Sequence, residues 1–309
     1  MKIVFVGAGG VGGYFGARLA ASGADVALVA RGAHLAAIRA GGIRIESPLG
    51  DLVQPIRADA DPAAIGPADL VFLAVKLWDV EATTRQIAPQ VGKDSHVVSL
   101  QNGIDAPGIL RAAFGPERVL GGVAQIATTI ASPGTIRHSG KLQRMMLGAF
   151  DRPGHPKALA FAEIAKKAGI DAVASPDIGR AIWEKFLFLS TLSAITAAGR
   201  LPKGPLLATP ETRATIGRLV AEAFAAAQAE GANLPDDQVA RTLGFIESLP
   251  DGMKASMLHD LERGARLELP WLSGAVVRLA AKHGLDAPTH AALAGVLAPH
   301  ADGRHDVRP

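Results

Sequence analysis

The sequence predicts an α/β protein: a parallel, doubly wound domain at the N-terminus, then an all-α domain. Three observations predict it. Strand-like runs alternate with helical patterns through the first half, a glycine-rich turn joins the first run to the first helix, and strand patterns nearly vanish after about residue 175. Lys2 to Val6 reads as a short buried strand, and Gly7-Ala8-Gly9-Gly10-Val11-Gly12 follows at once. A helical pattern from Tyr14 to Ser22 and a second strand at Asp25 to Val29 complete the unit. A G-x-G-x-x-G turn in this setting brings backbone N–H groups and a helix N-terminus up to a pyrophosphate, so the first half reads as a Rossmann-type dinucleotide-binding domain. The plainer alternative is a glycine turn that only permits close packing.

The elements then follow in order. Val26 to Val29, Leu70 to Val75 and His96 to Leu100 are Val- and Leu-rich runs, as expected of parallel strands buried on both faces. Leu35 to Ala40 and Val80 to Ile87 are helical connections, and a second β-rich stretch runs from Val119 to Phe150, broken at Ser132-Pro133-Gly134. Ser175-Pro176-Asp177 reads as a helix start with Ser175 as N-cap, placing the domain boundary at 174/175. That helix is expected to end at Gly199, and a second, opened by Thr209-Pro210-Glu211, at Gly231. Helical patterns continue over Asp236 to Ser248, Lys254 to Gly264, Leu272 to His283 and Thr289 to Leu297, and the tail after Pro299 reads as polar and loose.

Composition narrows the function. The 309 residues are enough for two domains, and a 49% hydrophobic share is that of a globular chain. With a net charge of +3 and scattered basic residues, no nucleic-acid-binding run is present. The absence of cysteine excludes disulfides, thiolate nucleophiles and Cys-ligated metals. No histidine spacing marks a metal site, so none is expected. The glycines between Gly7 and Gly16 spoil a signal-peptide reading, and no uninterrupted apolar run reads as a membrane span. A cytoplasmic protein is the default expectation.

About twenty residues past the glycine turn, where NAD-binding units carry an acid, stands Arg31. A guanidinium there suits a 2′-phosphate, and so NADP; the alternative is a solvated arginine beside NAD or FAD. Lys76 ends the Leu70 to Val75 strand, at the carboxyl edge where ligands of open α/β sheets bind. Asn102, ending the next strand, offers donors and an acceptor, or is an ordinary turn residue before Gly103. Lys185 lies in a mostly apolar helix and either snorkels to the surface or faces a site.

Together these motifs resemble the ketopantoate reductase (2-dehydropantoate 2-reductase) family over nearly the whole chain. The features are Gly7 to Gly12, Arg31, Ala74-Val75-Lys76, Gln101-Asn102-Gly103, Thr135 to Gly140, Trp183-Glu184-Lys185-Phe186, Ser256 to Asp260, and Glu268 ahead of Ser273 to Val276. The resemblance implies Lys185 as general acid and a substrate site formed by Asn102, Ser256 and Glu268. It also implies an NADP(H) site made by Gly7, Ala8, Gly9, Gly10, Val11, Gly12, Arg31 and Lys76, with Asn102 and Glu268 touching the cofactor too. The implied reaction is reduction of 2-dehydropantoate to pantoate in pantothenate biosynthesis, in a cleft between the domains. Physically, hydride reduction of a ketone leaves an alkoxide that needs a proton, and a partly desolvated lysine supplies one near neutral pH.

The chain departs from the family in its substrate half. Many members carry asparagines four, eight and eighteen residues after the lysine, where Leu189, Ser193 and Lys203 stand here. Residues 185, 189 and 193 share a helix face, so Ser193 is a candidate substrate ligand, and Lys203 a candidate carboxylate holder. Leu189 removes a donor and an acceptor, which opens the alternative of a more apolar 2-oxo acid. A rival of another class is a non-catalytic NADP-binding redox sensor, against which the retained Lys185 and Glu268 argue. A structural role of the helical domain as a homodimer surface is compatible with catalysis.

Overall fold

The computed structural model describes residues 1–303. The chain divides into two compact units, one holding Met1–Gln101 and Asp105–Ala181, the other Asn102–Ile104 and the chain from Ile182 onward. The division falls inside the first helix after Ser175 rather than at its start.

In chain order the first unit contains β1 (Lys2–Val6), α1 (Gly10–Ala21), β2 (Asp25–Val29), α2 (Gly32–Gly41), β3 (Ile43–Glu46), β4 (Leu52–Gln54), β5 (Arg57–Asp59) and α3 (Pro62–Ile65). There follow β6 (Leu70–Leu73), α4 (Val80–Ile87), β7 (His96–Ser99), α5 (Ala106–Phe114), β8 (Val119–Ser132), β9 (Thr135–Gly148), α6 (Pro156–Lys167) and β10 (Asp171–Ala174). All ten strands form one sheet in the order β4-β3-β9-β8-β7-β6-β1-β2-β5, with β10 on β9. β1 lies parallel between β2 and β6, and β6 and β7 continue the parallel set. The β8–β9 pair is an antiparallel hairpin turning at the expected Pro133-Gly134, with Gly134 at φ +76.

The central strands are apolar on both faces because both faces are covered. Ile3, Val4, Phe5 and Leu70 to Leu73 have no exposed surface. The Phe5 and Phe72 rings stack at 4.7 Å, and Phe161 of α6 closes on Phe72 at 5.0 Å. Burying each such side chain contributes about 1.5–3 kcal/mol, which makes this sheet a rigid base for the loops at its carboxyl edge.

Among the described residues, the regular elements of the second unit are all helices. α7 (Ile178–Gly199) leads, followed by α8 (Lys203–Ala208), α9 (Pro210–Ala229), α10 (Gln238–Ser248), α11 (Ser256–Glu262), α12 (Ser273–Lys282) and α13 (Pro288–Leu297). The cap of α7 is Asp177, whose Oδ1 accepts from the Arg180 N–H at 2.9 Å. Ser175 is not the cap, because the helix begins only at Ile178; its N–H donates to the Leu147 carbonyl at 2.6 Å and extends the β10–β9 ladder. The helix stops as expected at Gly199, followed by Arg200 in the left-handed region at φ 52.

α7, which Arg180, Glu184 and Lys185 keep from being an uninterrupted apolar run, nevertheless has by length and composition the character of a membrane-crossing helix, with mean hydropathy 1.2. Sixty-one per cent of that window is buried inside the protein, as in a core helix. Phe186 and Leu187 pack with Ala223, Leu269 and Leu272, whereas Leu192 and Ile195 pack with Leu219 and Val220. The stretch from Pro299 to Gly303 is not loose: the Ala301 carbonyl accepts from the Leu267 N–H at 2.9 Å. Residues 304–309 lie outside the described residues.

Candidate active site

In the first unit, three neighbouring strands end together. β1 runs into the glycine turn, β2 ends ahead of Arg31, and β6 ends ahead of Lys76. Three of the turn's four glycines differ in what the protein demands of them. Gly7 sits at φ +100 with the Ala74 backbone 2.9 Å from where a Cβ would be. At Gly12 a Cβ would lie 2.2 Å from the Gly7 carbonyl oxygen. At Gly9 it would meet nothing within 4 Å. Glycine is therefore required at 7 and 12 by the protein's own packing, and at 9 by no protein atom.

Arg31 caps α2, is exposed, and donates to the Gln86 side chain at 3.0 Å. Lys76 is half-buried, its Nζ 5.6 Å from the Trp78 ring centre. Gln101 donates to the Val75 carbonyl at 3.2 Å, while its Oε1 is buried without a partner. Open space at Gly9 and an orphaned acceptor at Gln101 fit a bound dinucleotide. His34, which the sequence reading did not single out, bonds the Ala8 carbonyl at 2.8 Å. Its signal was its position, one helical turn after Arg31.

In the second unit, Lys185, Glu268 and Asn102 come together. Glu268 is only 4% exposed, and the Asn102 amide donates to its Oε2 at 3.4 Å. Burial pushes the Lys185 ammonium down to about 8, and the Glu268 carboxylate pulls the other way. A lysine near that value can hold or release its proton around neutral pH, as a general acid must. Ile104, Leu189 and Trp183 pack against the same apolar cluster as Leu269 and Leu272, so the surroundings of this group are apolar.

The remaining candidates separate. Ser193 is fully buried and its Oγ has no partner, as expected of a group awaiting a ligand, but Thr191 and Ser273 carry orphaned hydroxyls as well. Ser256 is exposed, the first residue of α11. Among the described residues no group of metal-binding side chains is present.

Lys203 is the departure. Its ammonium donates to the Glu247 and Leu249 carbonyls at 3.1 and 2.5 Å and lies 3.0 Å from Asp251 Oδ1, with the side chain 3% exposed. These bonds tie the end of α10 to α8, which makes Lys203 a structural cation and not a carboxylate holder. Lys203→Met is expected to leave two carbonyls unpaired and lower stability by about 2–3 kcal/mol. Asp251→Asn is expected to cost under about 1 kcal/mol, since Asp251 is exposed. Urea unfolding measures both; equal losses would mean that the carboxylate, not the carbonyls, holds the lysine.

Comparison with known proteins agrees with this geometry. A sequence model of the ketopantoate reductase PanE/ApbA family matches residues 3–152, and one of that family's C-terminal domain matches residues 177–301. A 2-dehydropantoate 2-reductase of Mesorhizobium japonicum is 34% identical, the match covering 90% of this chain and 91% of the relative. The uncharacterized oxidoreductase YkpB of Bacillus subtilis is 31% identical over 93% of this chain and 95% of its own. The crystal structure of a PanE/ApbA family ketopantoate reductase from Ralstonia eutropha superimposes with TM-score 0.89 at 32% identity, covering 97% of this chain and 98% of that one. With the glycine turn, the half-buried Lys185 under the influence of the buried Glu268, and both family domains in place, the chain belongs to the ketopantoate reductase family and is an oxidoreductase.

Proposed function

We infer that this oxidoreductase acts on a CH–OH group, reducing 2-dehydropantoate to pantoate with NADPH, as a cytoplasmic step of pantothenate biosynthesis. One observation carries the reading: a lysine whose ammonium burial brings down to about 8, beside a buried carboxylate. The dinucleotide, when bound, supplies a hydride to the substrate's C2. The residues that would hold it are Gly7 to Gly12 at the pyrophosphate, Arg31 at the 2′-phosphate, and Lys76. Lys185 Nζ gives its proton to the oxygen left negative at C2, so that C=O becomes CH–OH and the lysine is left neutral. Glu268 favours the charged lysine before transfer, and the Asn102 amide fixes that carboxylate. Ser193 and Ser256 are the hydroxyls offered to substrate.

Leu189 supports a second reading, a 2-oxo acid with a more apolar side chain. It stands one turn from Lys185 and packs with the cluster that holds Ile104 and Trp183. A substrate hydroxyl brought to such a wall would lose its water without gaining a partner. The test is NADPH oxidation, followed by absorbance, against a panel of 2-oxo acids including 2-dehydropantoate, with NADH in parallel. Preferred turnover of 2-dehydropantoate supports the first reading. Turnover confined to apolar 2-oxo acids moves the substrate, and faster turnover with NADH overturns the role given to Arg31.

A further inference from the structure

We propose that His34 is a positioning residue that sets the Ala8–Gly9 peptide for the pyrophosphate. The inference rests on the nucleotide-site reading above. His34 lies in the first turn of α2, which Arg31 caps. Its ring is held at both nitrogens: the Gly134 N–H donates to Nδ1 at 3.0 Å, and Nε2 meets the Ala8 carbonyl at 2.8 Å. An N–H arriving at Nδ1 requires a lone pair there, so the hydrogen of the neutral ring is on Nε2 and is donated to Ala8. The tautomer follows from the two partners.

The Ala8 carbonyl and the Gly9 N–H belong to one peptide plane. No cis peptide bond is present in the chain, and in a trans peptide the C=O and N–H point in opposite directions. Drawing the carbonyl toward His34 therefore turns the Gly9 N–H the other way, at the residue whose side is open to a ligand. A peptide flipped at this point would present an oxygen where a phosphate needs a donor. Glycine at 9 makes such a flip easy, because it tolerates both hands of backbone conformation. Something must hold the plane, and His34 does.

The anchor behind His34 is itself fixed. Gly134 is at φ +76 in the β8–β9 turn, and its carbonyl accepts from the Arg44 N–H at 2.8 Å. A Cβ on Gly134 would stand 2.8 Å from the Ala37 methyl, so the turn is seated directly on α2. The hairpin thus clamps α2, α2 carries His34, and His34 holds the loop. The same helical turn carries Arg31, so the two ends of the nucleotide would be read from one element.

The experiment is titration of the full-length protein with NADPH, followed by nucleotide fluorescence, for wild type, His34→Ala, His34→Gln and His34→Asn. His34→Ala is expected to raise Kd about tenfold, as loss of one well-placed hydrogen bond does, with kcat at saturating NADPH within about twofold. The Gln amide nitrogen reaches about as far as Nε2 and restores the donor to Ala8, so His34→Gln is expected to recover most of the affinity. His34→Asn is too short to do so and is expected to resemble Ala. Wild-type affinity in His34→Ala would overturn the proposal. So would equal losses in Gln and Asn, since bulk rather than the N–H would then matter. Wild type failing to bind NADPH or NADH would instead sink the nucleotide-site reading itself.

Discussion

Lys185→Ala is expected to lower kcat for 2-oxo acid reduction by about 10²- to 10⁴-fold while leaving NADPH affinity within about twofold, the mark of a lost proton donor. The sign of the pH dependence follows from the direction of the shift. With Lys185 as the proton donor, reduction needs the ammonium, which is present below about 8 and lost as pH rises through that value. The rate of reduction is therefore expected to be flat on the acid side of this limb and to fall about tenfold per pH unit above it. Oxidation of the product needs the neutral amine and is expected to rise over the same range. Glu268→Gln removes the charge that pulls Lys185 upward, so its alkaline limb is expected at lower pH than wild type.

Lys185→Arg keeps a positive charge but is expected to be nearly as slow as Ala, because a guanidinium does not release its proton in this range. A stability corollary separates catalysis from structure. A lysine whose folded-state value is lowered destabilises the fold wherever its unfolded form is protonated; the cost accrues as pH falls from about 10.5 to about 8 and is fully present at pH 7. Lys185→Met is therefore expected to be inactive yet more stable at pH 7, by about 1–3 kcal/mol. Wild-type kcat in Lys185→Ala, at saturating substrate and matched pH, would remove Lys185 from the mechanism.

How much of this was legible in the sequence depends on length of signal and on what competes for each group. The glycine turn and strands β1, β2, β6 and β7 were readable because a parallel strand covered on both faces is an unbroken apolar run. The short strands were not. Arg57-Ala58-Asp59 carries two charges in three residues and is a strand only because β2 offers it a ladder. Nor was α5, whose opening Ala106-Pro107-Gly108 reads as a turn, or α6, which follows Arg152-Pro153-Gly154.

Ser175 shows the same competition at a single atom. As a helix cap it satisfies the local rule, but pairing of its backbone with Leu147 carries the β10–β9 ladder through residue 175, the helix begins only at Ile178, and the acceptor beside that start, Asp177, caps instead. At the site, Lys185 was ambiguous by periodicity, because an apolar helix places a lysine equally well at the surface or in a pocket. What separates the two is Glu268, 83 positions further along the sequence and brought within electrostatic reach of Lys185 only through the fold. Lys203 was misread for the same reason. A positive charge in Pro202-Lys203-Gly204 gives no hint that three oxygens between residues 247 and 251 already surround it.

The second large effect is expected from a contrast between two glycines three residues apart. Gly9 has an extended backbone, φ −68 and ψ −164, which any residue adopts, and a Cβ there meets no atom of the protein within 4 Å. Gly9→Ala is therefore expected to leave the urea unfolding midpoint unchanged. If the open face is where the pyrophosphate lies against the turn, the added methyl occupies the approach of the phosphate to the backbone. The Kd for NADPH is then expected to rise by about tenfold or more, and further in Gly9→Val.

Gly12 is the opposite case. Its Cβ would be driven to 2.2 Å from the Gly7 carbonyl oxygen and 2.9 Å from the Ala74 methyl, so α1 would have to leave the strand it packs on. Gly12→Ala is expected to cost about 2–3 kcal/mol of stability whether or not nucleotide is present. Glycine at 12 answers to the fold; no atom of the fold demands glycine at 9. NADPH titration and urea unfolding of the two variants side by side decide the matter. Full NADPH affinity in Gly9→Ala would mean that no phosphate approaches this backbone, leaving glycine at position 9 without a physical reason in either the protein or its ligand.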